Sequence, residues 1–154
     1  MISKPLTPQL IDATCAELSS KVGPALSEPN VKVLLEMAIA VLQGASRRSA
    51  NELAWMQEES DAIEAVAKET VADLPDFTAV NDALKAYEDG KTDSRALADA
   101  QASYERASEL LSCVTEAVYE DGDPARIAAV GRLFDQRMAN ENTVTGVFLA
   151  AGRT

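Results

Sequence analysis

The sequence predicts an all-α fold, a helical bundle of about five helices with a long second helix that is continuous or kinked. Three observations carry this. Apolar residues recur three and four apart along most of the chain. No stretch alternates apolar and polar residues long enough for a half-buried strand, and β-branched runs are scarce where alanine is abundant. Proline and glycine fall between the periodic stretches, where helices have to stop.

The first helix is expected from Thr7, as N-cap with Pro8 behind it, to about Val22, where Gly23-Pro24 stops it. Cys15 lies on its apolar row with Ile11, Leu18 and Val22, the position of a buried, reduced thiol. Pro29 can open the second helix. From Asn30 to Asp73 there is no proline and one glycine, Gly44, which costs about 1 kcal/mol in a helix without forcing a stop. Its apolar positions are Val31, Leu34, Leu35, Ala38, Val41, Leu42 and Ala45, then Leu53, Met56, Ile63, Val66 and Ala67. Leu74-Pro75 ends it. A third helix, about Asp76 to Asp89, puts Phe77, Val80, Leu84 and Tyr87 on one face, with Gly90 behind it.

The fourth helix is expected from Ser94 to Glu120 with the stripe Leu97, Gln101, Tyr104, Ser108, Leu111 and Val118, flanked by Ala100, Ala107 and Val114. Asp121-Gly122 closes it, and Asp123-Pro124 caps and opens a fifth, with Ile127, Val130, Phe134 and Met138 facing inward. Residues 143–154 read as a docking tail, apolar at Val144, Val147, Phe148 and Leu149. No repeat or low-complexity linker divides the 154 residues, so they read as one domain, of a size that buries roughly 70% of its unfolded surface.

Composition removes whole classes of chemistry. The chain has no histidine, so it has no Ser-His-Asp triad, no Cys-His pair and no His-ligated zinc, haem or di-iron centre. The seven glycines are scattered singly and form no phosphate loop. No spacing nominates a catalytic pair, a metal site or a cofactor, and none is expected. The net charge of −11 argues against nucleic acid and anionic membranes as partners. That charge is uneven. Residues 1–56 carry five basic and five acidic side chains, residues 57–123 five and eighteen, and residues 124–154 four and two. Helices three and four are therefore read as a solvated acidic face. The first residues lack the apolar core of a signal peptide and the longest apolar run, Met37–Leu42, is far too short to cross a membrane, so a cytoplasmic protein is expected.

The most distinctive segment runs from Gly44 to Glu59, where polar side chains interrupt the apolar helix. On a helix Arg48, Glu52, Trp55 and Glu59 line one face, with Arg47 and Asn51 beside it. In one reading Arg48 and Glu52 form an intrahelical pair and Trp55 is core. In another, Arg47, Arg48, Asn51, Glu52 and Trp55 wall a pocket for a carboxylate or phosphate, and in a third the segment is a symmetric dimer seam where Arg and Glu pair across subunits. A second polar cluster, Arg132, Arg137, Asn140, Glu141 and Asn142, suits the dipole and cap of a helix end.

Thr7-Pro8-x-Leu10-Ile11, Val22-x-Pro24-Ala25-Leu26, the apolar tract running into the Arg/Asn/Glu segment, and Leu133 to Asn142 together resemble a small bacterial all-helical family of unknown function. Its members are encoded beside aminoglycoside-phosphotransferase-like kinases and acyl-CoA dehydrogenases. The likeness covers about the first 60 residues and a short C-terminal stretch; the acidic middle departs from it. The family has no established catalytic residues to carry over. The resemblance implies an accessory role near acyl-CoA or phosphotransfer metabolism. The expected function is that of a non-catalytic helical interaction protein, a homodimer with room for a further protein partner. The alternative is a binder of a small anionic ligand, or a minor enzyme, with its pocket around residues 44–59.

Overall fold

The computed structural model describes residues 4–92, 94 and 96–145. Among them the only regular structure is helical: α1 (Thr7–Glu17), α2 (Pro29–Asp73), α3 (Thr78–Asp89), α4 (Leu97–Asp121) and α5 (Pro124–Thr145). The fold is an all-α helical bundle with one long helix, as the periodicity predicts. The chain clusters into two compact units, Met1–Glu52 with Glu141–Thr154 and Leu53–Asn140. The first boundary falls inside α2 and the second inside α5.

Local chemistry sets the helix ends. The Leu6 amide donates to Gln9 Oε1 at 2.9 Å, and Pro8 sits in the first turn of α1, where its missing N–H costs nothing. Gly23-Pro24 does not stop the chain at Val22. A π-helical turn over Leu18–Val22 is followed by a single helical turn, Gly23–Ala25, and the backbone becomes extended only at Leu26. The wider π turn accommodates a proline that can neither donate a hydrogen bond nor fit its ring against a tight preceding turn. Asp123 Oδ1 accepts from the Ala125 amide at 2.6 Å, so the expected Asp-Pro start of α5 is present. Gly122, at φ 78°, ends α4 in the left-handed region, and its amide bonds the Val118 carbonyl at 3.0 Å.

In the first unit α1 runs antiparallel to the first part of α2. Ser46 Oγ donates to Asp12 at 2.7 Å, and Cys15 Sγ lies 3.9 Å from the Ile39 carbonyl. Cys15 is buried, as its apolar row predicts. Leu35, Ile39, Leu42 and Ser46 occupy neighbouring positions of the helix surface turned to α1.

The second unit has the larger core: Ile63 and Ala67 of α2, Val80, Leu84 and Tyr87 of α3, Ala107, Leu110, Leu111, Val114, Ala117 and Val118 of α4, and Val130 and Leu133 of α5. The predicted α3 face is inside, with Phe77 packed against it. Two expected stripes are corrected. In α4 the buried face follows Ala100, Ala107, Leu110–Leu111, Val114 and Ala117–Val118, while Leu97 is exposed. In α5, Phe134 and Met138 are exposed and Leu133 is buried, a rotation of about one residue, or 100°. The inward row is Ile127, Val130, Leu133, Arg137, and it admits Arg137 because an acidic partner waits for it. The tail positions Val147, Phe148 and Leu149 lie outside the described residues.

Candidate functional site

The polar segment from Gly44 onward is where sequence reasoning set its ligand pocket. In the first unit four of the five named residues serve other groups. Arg47 Nε and Nη2 donate to the Val144 carbonyl at 3.0 and 2.8 Å, and Nη2 reaches the Thr145 carbonyl at 3.5 Å. Its planar fork thus ties this part of α2 to backbone carbonyls of α5. Arg48 Nη2 lies 3.3 Å from both carboxylate oxygens of Glu141, and Nη1 lies 3.8 Å from Glu52, the expected intrahelical pair. Asn51 Nδ2 donates back to the Arg47 carbonyl at 2.9 Å. Trp55 belongs to the second unit and is half-buried. A ligand anion at Arg47 would have to displace two backbone carbonyls. The Arg48 pairs are solvent-exposed and hold their partners weakly, by about 0–1 kcal/mol each.

The less expected feature of the first unit is how much apolar surface it leaves open. Among its described residues only Cys15 and Ser46 are buried. Leu34 is 64% exposed, Met37 56% and Val41 73%. These three lie at i, i+3 and i+7, one narrow stripe of α2 on the side turned away from Leu35, Ile39 and Leu42. Ala38 and Ala45 flank it with small side chains, and both are exposed. At its C-terminal end the stripe meets Gly44, where an added Cβ would come 3.5 Å from the Val144 carbonyl. The sequence shows these apolar positions, but local pattern cannot tell which of two apolar faces α1 covers.

In the second unit the buried polar chemistry centres on Glu59, which sequence reasoning placed on the Arg48–Trp55 face. It is 6% exposed. Arg137 Nε donates to its Oε1, and the Tyr104 hydroxyl donates to its Oε2 at 3.0 Å. The Arg137 guanidinium also stands 5.5 Å from the centre of the Tyr104 ring. Burial opposes the charge on Arg137, but the Glu59 carboxylate more than offsets it and holds its pKa above the ordinary value. Burial, reinforced by the hydrogen bond to Glu59, raises Tyr104. The cluster is closed on itself: Arg137, Glu59 and Tyr104 satisfy one another's hydrogen bonds. Arg137 was expected only as a helix-end charge; its true partner, 78 positions away, has no local signature.

Among the described residues no group of three or more His, Cys, Asp or Glu side chains could hold a metal ion, and no helix is long and apolar enough to cross a membrane. Comparison with known proteins finds no matching family model, no similar curated protein and no similar solved structure.

Proposed function

We propose that this chain is a non-catalytic helical interaction protein that assembles with a second copy of itself through the Leu34–Met37–Val41 stripe of α2. The observation that carries the reading is this exposed stripe, whose spacing fits another helix. It is also self-complementary. In an antiparallel pair related by a two-fold axis near residue 39, Leu34 faces the small Ala45, and Met37 faces Val41.

Charge favours the same surface. Two chains of net −11 repel, yet residues 1–56 carry equal numbers of acidic and basic side chains. Copies meeting through this part bring together segments that carry no net charge of their own. The engagement of Arg47 with backbone carbonyls favours an interaction role over an anion pocket at residues 44–59. The resemblance to the bacterial helical family supports an accessory role beside acyl-CoA or phosphotransfer metabolism, in which a further protein partner would read the assembled dimer.

Light scattering after size exclusion tests the reading. At micromolar concentration the chain is expected at twice its 16.4 kDa. A single-chain mass overturns it. If deletion of residues 146–154 then converts the monomer into a dimer, the tail is the occupant of the stripe and no second copy is.

A further inference from the structure

A separate feature of the second unit has no part in that reading. A cleft of about 370 Å³ opens between α2 and α4, with Tyr87 of α3 and Lys91, Thr92 and Ser94 on the wall. The chemistry lies in Met56, Ser60, Asp61, Tyr87, Lys91 and Ser103. Lys91 is fixed in place: its Nζ donates to the buried Glu64 and stands 5.4 Å over the Tyr87 ring. One direction of the ammonium is taken by Glu64, and the rest of its hydrogen-bonding capacity remains for a ligand. Asp61, one helical turn before Glu64, is exposed and makes no hydrogen bond or ion pair among the described residues, although its charge is felt at Lys91 and Tyr87; the Ser103 hydroxyl makes no hydrogen bond among them either. Ser60, on the lining, is buried at 6% exposure and makes that part of the wall polar. Met56 and Ala100 supply apolar wall.

We propose that this cleft binds a small zwitterion of the α-amino acid class with an aliphatic side chain. The carboxylate meets Lys91 and the serine hydroxyls, the ammonium meets Asp61, and the side chain lies against Met56 and Ala100. A fixed cation and a carboxylate that accepts no hydrogen bond among the described residues, within one cleft, select a ligand with both charges. A simple anion would face Asp61, Glu64 and the acidic field of residues 57–123, and a simple cation would face Lys91. The volume lies at the small end of ligand sites and leaves room for a free amino acid. The cleft binds and does not catalyse through Lys91 or Tyr87. The hydrogen bond to Glu64 raises the lysine and burial raises the phenol, so both stay protonated at neutral pH.

Calorimetry or saturation-transfer NMR on the full chain tests this with three probes of one skeleton: L-leucine, 4-methylpentanoate, which lacks the ammonium, and leucinamide, which lacks the carboxylate. L-leucine is expected to bind saturably, and each analogue at least about tenfold more weakly, since one lost charged contact costs about 1.4 kcal/mol or more. Asp61→Asn keeps the shape and is expected to lose at least about tenfold for L-leucine. Ser103→Leu fills the cleft without breaking a described hydrogen bond and is expected to abolish binding. Lys91 is left intact because buried Glu64 depends on it. No saturable binding of L-leucine, equal binding of either analogue, or unchanged binding to either variant overturns the proposal. None of these outcomes bears on the dimer, whose stripe lies in the other unit.

Discussion

The buried Glu59–Arg137 pair gives the sharpest test of how the second unit is held. Arg137→Ala removes the cation and leaves a carboxylate, 6% exposed, with the Tyr104 hydroxyl as its one remaining hydrogen-bond partner among the described residues. Stranding a buried charge in this way costs about 3–5 kcal/mol. That is a large part of the roughly 5–15 kcal/mol that separates a folded domain from its unfolded state. At about 2–4 °C per kcal/mol for a chain of this length, the melting temperature should fall by roughly 6–20 °C. The double variant Glu59→Gln/Arg137→Met replaces the pair by groups of similar volume and no net charge. It should recover most of the loss, because a well-packed neutral pair stabilises about as well as a buried ionic one. Urea unfolding followed by circular dichroism and by the fluorescence of Trp55, the one tryptophan of the chain, measures the natural chain, Glu59→Gln, Arg137→Met and the double variant, the four corners of the cycle, beside Arg137→Ala. If Arg137→Ala costs no more than an ordinary surface substitution, about 0.5 kcal/mol, or if the two single losses simply add in the double variant, the pair does not hold the core as described.

Other outcomes follow from the same structure. Gly44→Ala should stabilise the chain by about 0.5–1 kcal/mol in thermal unfolding, because a Cβ there meets the Val144 carbonyl at an ordinary 3.5 Å while helix propensity improves. A loss of stability would mean that α5 sits closer to α2 than 3.5 Å allows. Gly122→Ala should cost about 1 kcal/mol, since the residue at φ 78° has free space around it and pays only for the backbone conformation. Glu64 gives a pH signature. Burial alone would raise its pKa, but hydrogen bonds and attraction from Lys68 and Lys91 outweigh burial and lower it. A lowered folded-state pKa contributes stability above the unfolded value of about 4.3, and this is lost as pH falls through the folded value. Urea midpoints between neutral pH and pH ~3 should therefore fall more steeply for the natural chain than for Glu64→Gln. Parallel curves would remove Glu64 from the acid response.

The fold class and most helix ends are legible in the sequence because they are local. The Asp123-Pro124 start, the Gly122 stop and the Phe77, Val80, Leu84, Tyr87 face need only neighbours within a turn or two. What is not legible depends on partners far along the chain. The α5 stripe was set one position off because Leu133 and Phe134 are both apolar, and only Glu59 on α2 decides that Arg137 turns inward. Arg47 looks like an anion ligand in sequence; its acceptors are backbone carbonyls 97 and 98 positions away, which every residue carries and no motif marks. The two apolar faces of α2 around residue 38 look alike in sequence, and only the packing of α1 on one of them leaves the other open. For the same reason the cleft around Lys91 escapes a motif search: it is assembled from three helices and one connecting segment.

The central claim is that an exposed stripe of α2 joins two copies of the chain, and the mass of Val41→Glu beside that of the natural chain tests it most directly. Val41 is 73% exposed, so a glutamate there disturbs no packing within the protomer but puts a charge at the centre of the proposed seam. Light scattering at micromolar concentration should give twice 16.4 kDa for the natural chain and 16.4 kDa for Val41→Glu, with the same helical circular dichroism. A natural chain at 16.4 kDa, or a Val41→Glu variant that stays at twice that mass, would contradict it.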